Sequence, residues 1–334
     1  MAILLKNMIK GMSDKVAAQV VDTFIRHSQI LELLPFDDAV NASGGSTLTY
    51  GYMIDKVPGS AAFRALNTEF KAHEAKRDKK SVDLKIFGGQ FEIDRVINDA
   101  KGQYDNVAYQ IEEKVKSAVG LFHYSLINGD SAVDENSFDG LDKFLVGQST
   151  EFGTESYIDL STAAKAKENA DVFYEELMNI INKTNADALL VNDLAMRKIQ
   201  TVARHLGYQT KSEEAFGRKV VTIDGRVRLI DLGNYVTPTG EGDSETGLET
   251  PIIDAKTRNV GGSDVTGLTD IYAVRFDVNQ GFHGVTLTGD KVIKQFLPDF
   301  NTPGAVKKGE VEMVAAVVLK NTKAAAVLRN VKVN

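Results

Sequence analysis

The chain has 334 residues with 39 basic and 46 acidic side chains, a formal net charge of −7, and neither cysteine nor tryptophan. A mildly acidic balance argues against a chain that holds nucleic acid by itself, which needs clustered cations, and the lack of cysteine excludes disulfides, thiolate metal sites and cysteine nucleophiles. The length suits one large domain or two modest ones; the N-terminal apolar run stops at Lys6 and the longest clean one spans only Met313–Leu319, too short for a signal core or a membrane span, so a protein made in the cytoplasm with no membrane partner is expected.

In chain order, residues 13–34 predict a helix: Ser13 is a candidate N-cap, Val16, Val20, Phe24 and Ile25 share one face, and Pro35 ends the segment. A loop of small polar residues follows, Asn41-Ala-Ser-Gly-Gly-Ser46. The period then changes to two. Thr47–Ile54, Val82–Phe87 and Gln90–Asp94 alternate like strands, with the mostly polar stretch Asp55–Ser81 between them. Residues 47–95 are read as a long, protruding two-stranded arm. At roughly 3.3 Å per residue it reaches well beyond its own domain, and an isolated two-stranded ribbon is marginal in water. Such an arm needs a neighbour to lie on.

Residues 105–128 carry the strongest helical pattern, Val107, Ile111, Val115, Val119, Phe122 and Leu126, with Asp105 as cap and Asn128-Gly129 as stop. That makes about 36 Å of helix at 1.5 Å per residue. Asp171 opens another helix bearing Phe173, Leu177, Ile180 and Ile181; Ala188–Val191 reads as a buried strand; Asn192 caps a helix with Met196, Ile199, Val202, Ala203 and Leu206, closed by Gly207. Lys219–Ile223 and Arg226–Ile230 flank Asp224-Gly225, a hairpin signal. Residues 234–270, rich in Gly and acids, read as a long flexible insertion. Tyr272–Phe276, Gly284–Thr288 and Val311–Leu319 read as strands, and Ala324–Leu328 as a short packed segment. The order describes an α+β chain.

Charge is uneven. Lys71–Lys85 holds six basic and three acidic residues, while acids dominate from Asn128 to Asp171. Opposite patches of this kind can meet between identical subunits. No motif of catalysis accompanies them. His27, His73, His123, His205 and His283 are scattered and make no metal-protease pattern. There is no phosphate loop, no dinucleotide fingerprint after a strand, and no Gly-x-Ser-x-Gly elbow. Asp37-Asp38 and Asp134-Glu135 read as solvated surface. No catalytic residue, cofactor or metal is expected.

Phe91-Glu-Ile-Asp-Arg-Val-Ile-Asn-Asp-Ala100, the long helix, Leu126-Ile-Asn-Gly-Asp130 and Phe138-Asp-Gly-Leu141 follow one another in an order that resembles the tailed-bacteriophage major capsid protein, whose fold is shared with encapsulin shells. The resemblance runs over nearly the whole chain. It implies an N-terminal arm (1–46), an extended loop or E-loop (47–95), a peripheral domain with a long spine helix (96–159 and 301–334) and an axial domain (160–300). It further implies pentamers and hexamers closing into an icosahedral head around double-stranded DNA, assembled in the host cytoplasm. No large scaffolding segment precedes the arm, which implies a separate scaffolding protein or prior removal of the segment; a portal is the other implied partner. Lys71, Lys76, Arg77, Lys79 and Lys80 in the extended loop are the candidate inter-subunit contacts. Some relatives cross-link a lysine of this loop to a neighbour's asparagine, and ordinary ion pairs or solvent are the alternative for Lys71, Lys76, Lys79 and Lys80. An encapsulin-like cargo compartment and a cytoplasmic α+β enzyme with dispersed carboxylates are the alternatives for the whole chain. The enzyme reading requires residues 47–95 to fold into the chain's own core.

Overall fold

The computed structural model describes residues 29–39, 47–96, 106–207, 211–215, 218–240, 246–287 and 293–334. The helix expected over 13–34 lies largely outside them, Ser13 included; its last turn is α1 (Gln29–Leu33), followed by β1 (Phe36–Asp38). A hairpin of β2 (Thr49–Val57) and β3 (Lys76–Asp83) leads into β4 (Lys85–Asp94), with Leu84 alone between β3 and β4.

The long helix is α2 (Asn106–Asn128); the expected Asp105 cap falls outside the described residues. Ile111, Val115, Val119, Phe122 and Leu126 are all buried, as their spacing predicts. Fully burying a side chain of this size contributes about 1.5–3 kcal/mol. Lys116 Nζ meets the carboxylates of Glu112 and Glu113 at 3.0 Å each on the solvent side. The return of the chain past the helix end requires glycine at 129. A Cβ on Gly129 would lie 2.2 Å from the Phe138 carbonyl oxygen and 2.5 Å from that of Ser125. Only glycine lets residues 130–140 fold back over the helix end, where Gly140 N–H donates to Gly129 O at 2.8 Å.

From there come α3 (Leu141–Leu145), β5 (Glu151–Phe152), β6 (Ile158–Asp159), α4 (Ala163–Glu168), α5 (Ala170–Thr184), β7 (Ala188–Val191) and α6 (Asp193–His205). Asn192 caps α6, its Oδ1 accepting from Ala195 N–H at 2.8 Å. The strands β8 (Lys211–Ala215), β9 (Arg218–Ile223) and β10 (Val227–Asp231) follow, with Asp224 and Gly225 at positive φ in the β9–β10 turn.

Residues 234–270 are not an irregular insertion. They form a hairpin of β11 (Asn234–Thr239) and β12 (Thr246–Pro251), then β13 (Lys256–Val260) and most of β14 (Ser263–Val274). The hairpin lies on α2, with Tyr235 and Tyr124 ring centroids 5.4 Å apart. Its exit is held by two asparagines: Asn128 Nδ2 donates to Ile252 O at 2.6 Å and Asn192 Nδ2 to Ile253 O at 3.0 Å. The chain ends with β15 (Phe282–Thr286), β16 (Ile293–Phe296), β17 (Val306–Leu319) and β18 (Ala325–Lys332).

Two sheets organise these elements. The five-stranded one is built on β17, which pairs antiparallel with β4 along one edge, and with β15 and β16 along the other. Here the expected arm is corrected: β4 does not pair with β2 but joins this sheet, and Leu84, Phe91 and Ile93 are buried there. The free ribbon is β2–β3 alone. The nine-stranded sheet runs β5-β18-β14-β7-β10-β9-β8, with β13 on β14 and β6 on β18. It is a wall between two cores. Ala188 and Leu190 of β7 face the core that holds α2, and Leu189 and Val191 face the core of α5 and α6. The same alternation holds at Tyr272 and Val274 against Ile271 and Ala273, and at Ala325 and Val327 against Ala326 and Leu328.

Candidate functional site

The β2–β3 ribbon is tied to the body at its root. Leu84 N–H donates to Leu48 O at 2.7 Å and Thr49 Oγ1 to Asp83 Oδ1 at 2.8 Å. Tyr50 O–H donates to Asp37 Oδ2 at 2.5 Å, Tyr52 O–H reaches Leu319 O at 3.5 Å, and Lys320 Nζ lies 5.2 Å from the Tyr50 ring centroid. His283 meets the Tyr50 ring edge-on at 5.9 Å. Burial pushes the Asp37 carboxyl up, but the Tyr50 hydroxyl, the Asp38 amide and the Lys320 charge outweigh it and hold the group below its usual range. Burial and the bond to Asp37 push the Tyr50 phenol up. Burial, reinforced by the Lys320 charge, brings the His283 imidazole down to about 4. At neutral pH the root therefore holds a neutral tyrosine, a neutral histidine and an ionised aspartate.

Past Tyr52 the ribbon leaves the body. Every residue from Pro58 to Arg77 is exposed. The five cations named from the sequence all lie here and are all exposed, but they do not form one surface. Lys71 is in the loop beyond the strands; Lys76 and Lys80 share the face of Val82, while Arg77 and Lys79 occupy the opposite face, across from Asp55 and Met53. Arg77 Nε reaches Asp55 Oδ1 at 3.5 Å, in solvent, a contact of little energetic weight.

Sequence reasoning passed over the tip because the surrounding residues are polar. Phe63, Leu66 and Phe70 are 107%, 88% and 60% exposed. The tip is nonetheless shaped. Thr68 N–H donates to Ala65 O at 3.3 Å around Asn67 at φ 63°, and Arg64 lies 5.4 Å over the Phe70 ring. A left-handed third residue is what Asn supplies in a tight turn. Leu66-Asn67 was the sequence signal that could have revealed it. Large apolar side chains exposed together on a ribbon are the mark of an interaction surface.

A charged cluster elsewhere among the described residues is closed on itself. Arg329 bonds Asp142, Glu151 at 2.9 Å and Asp270 at 3.0 Å. Arg258 grips Asp270 through two 2.6 Å bonds, and Tyr272 O–H donates to Asp142 at 2.9 Å. Burial would raise the Asp270 carboxyl, but the Arg258 bonds and the charges of Arg258 and Arg329 hold it below the usual carboxylate range. These groups satisfy one another and tie α3 and β5 to β13, β14 and β18. Among the described residues no group of His, Asp and Glu is arranged to hold a metal ion, and no helix is long and apolar enough to cross a membrane.

No family model matches the chain, and no curated protein matches it in sequence. Solved structures do match. The SrpI encapsulin from Synechococcus elongatus PCC 7942, in its holo complex, superposes with a TM-score of 0.59 at 14% identity, over 91% of this chain and 88% of that one. The capsid of a native GTA particle does so with a TM-score of 0.53 at 12% identity, over 90% and 89%. A chain of Mycobacterium phage Ogopogo gives 0.51 at 10% identity, over 91% and 92%. At these identities the likeness is one of fold. The mixed α+β fold implied by the sequence resemblance is the fold found.

Proposed function

We propose that the chain is a shell-building subunit, copies of which close into the wall of a phage head. The observation that carries this reading is the exposed apolar tip of the β2–β3 ribbon, on a chain whose fold is that of an encapsulin and a GTA capsid. The ribbon cannot bury Phe63, Leu66 and Phe70 on its own body, so another copy completes the contact. Head-to-tail contacts of this kind close into rings where the rotation permits, and modest contacts repeated around a ring sum to a stable wall. In this reading pentamers and hexamers form around the lobe of α5 and α6, the segment 1–46 braces a neighbour, and the basic ribbon adds ion pairs. Double-stranded DNA is enclosed without being read, which the net charge of −7 favours by not gripping it. A separate scaffolding protein and a portal are the partners this requires. The chain performs no catalysis of its own. An encapsulin-like cargo compartment is the second reading, supported by the TM-score of 0.59 to an encapsulin.

The test is electron microscopy of the chain produced with its neighbouring genes, beside a variant lacking Asp55–Ser81. Closed shells or rings from the parent, and folded but dispersed protein from the variant, are expected. Normal shells from the deletion would remove the ribbon as the clamp. Dispersed parent protein under every assembly condition would overturn the shell reading itself. Nucleic acid or packaged protein inside the particles separates the two readings.

A further inference from the structure

Beside the ribbon's root lies a cavity of about 290 Å³, lined by Phe87 of β4, Leu121, Phe122 and Tyr124 of α2, and Val133 and Phe138 of the returning loop. Its floor is a triangle of rings. Phe87 and Phe122 stack at 6.2 Å with planes 14° apart, and Phe138 tilts against both at 6.2 and 5.8 Å. Val133 stands 86% exposed at the mouth. The rim is acidic: Asp130, Asp134, Glu135 and Asp139 fall within ten residues that hold no cation. Lys143 bonds Asp130 and Asp139 at 2.5 and 2.9 Å, and Lys85 Nζ is spent on the Glu135 backbone carbonyl at 2.5 Å. No ion pair is seen for the carboxylates of Asp134 and Glu135 among the described residues.

We infer that this cavity receives the ribbon tip of a second copy of the chain, with Phe63 entering it and Leu66 and Phe70 closing over Val133. The inference rests on the shell reading above and names the receiving surface that reading leaves open. Three observations select the occupant. The tip presents Phe63, the most exposed large apolar side chain among the described residues, and an aromatic floor offers offset and edge-on partners at ordinary ring separations. The charges are complementary: from Arg64 to Lys80 the ribbon carries six basic and three acidic residues, facing a rim whose ten residues contribute only acids. The occupant is also not the chain's own tip. β2 and β3 pair from Thr49–Asp83 out to Val57–Lys76, and so carry the tip about 25 Å from the root beside which the cavity opens. Folding back would break that ladder.

The absence of cysteine makes the test clean. Leu66→Cys and Val133→Cys are placed in one chain, assembled, and treated with a short bis-maleimide. A ladder of covalent multimers from the double variant, absent from either single variant, is expected. Val133→Cys alone should label with a maleimide in dispersed subunits and be protected at least 10-fold in shells. Both positions are exposed in the subunit, so neither substitution threatens folding. Shells that form without a ladder would overturn this pairing and leave the shell reading standing. A cross-link within one chain, or protection of position 133 already in dispersed subunits, would show the cavity filled by the chain itself and overturn the inference too. If the parent chain never assembles and the double variant never forms a ladder, both readings fall.

Discussion

Arg329 Nη1 and Asp270 Oδ2 lie 3.0 Å apart, with side chains only 8% and 6% exposed. Arg258 shares the same carboxylate and has no other ion pair among the described residues, whereas Arg329 also bonds Asp142 and Glu151. Asp270→Asn strips Arg258 of its ion-pair partner and leaves Arg329 with Asp142 and Glu151 alone. A loss of about 3–5 kcal/mol is expected, measured as a fall in the midpoint of urea unfolding. Replacing Arg329 and Asp270 together by Met and Leu should cost clearly less than the sum of the single changes.

Acid should act on the fold in two steps. Burial lowers the imidazoles of His283 and His123 to about 4, from an ordinary 6.5. The unfolded chain then binds more protons than the folded one between those values. Stability from these groups is therefore full above about pH 6.5 and drains as the pH falls toward 4. Asp270 has the depressed carboxylate sign: its contribution holds above the ordinary value near 3.8 and is lost as the pH falls further. Urea midpoints measured from pH 7.5 to 3 should decline in both windows. His283→Gln should flatten the upper one, and a parent curve flat from pH 7 to 4.5 would contradict the assignment.

Asn192 does two jobs with one amide. Its Oδ1 caps α6, while Nδ2 donates to Ile253 O and to Thr269 Oγ1, both at 3.0 Å. Asp is as good a cap as Asn, yet Asn192→Asp would turn a carboxylate oxygen toward the Ile253 carbonyl. The aspartate variant is expected to be at least as destabilised as Asn192→Ala, by about 1–3 kcal/mol. Thermal melts of the two, side by side, decide it.

Gly88 sits on β4 directly against β17. A Cβ there would lie 1.9 Å from the Val311 carbonyl oxygen, whereas one on Gly59 in the ribbon loop meets nothing within 4 Å. Gly88→Ala should cost about 1–3 kcal/mol or more through forced strand separation. Gly59→Ala should leave the melting temperature unchanged.

The interior of this protein was legible wherever one period ran without interruption. Val107 to Leu126 repeats at helical spacing, Ala188–Val191 is too short and too apolar for anything but a buried strand, and Asp224-Gly225 marks its turn. Legibility failed where outward residues hid the period. Lys308, Glu310 and Glu312 alternate with inward Gly309, Val311 and Met313 at the start of β17, and the inward Lys307 is itself charged, so only Val311–Leu319 was read as strand. In 234–270, Gly247 and Glu249 of β12 and Asp264 of β14 sit on exposed positions of real strands, and disguised a hairpin and two more strands as irregular chain. Leu84 was invisible as a boundary, because a strand that changes partners keeps its alternation. At the candidate site the cations were conspicuous and the three apolar tip residues were diluted by polar neighbours. In the proposed shell their partner is another copy, which no single chain's pattern contains.

The alternating wall makes the two lobes indivisible. A fragment trimmed to hold only α5, α6 and their strands would keep Leu189, Val191, Ile271 and Ala273 covered, but would bare Leu190, Tyr272, Val274 and Val327 on the other side. Neither half can be expressed as a clean domain, and calorimetry of the intact chain should show one transition instead of two. A substitution at β7, β14 or β18 is screened by both cores at once. These strands should tolerate less sequence drift than either helical layer that rests on them.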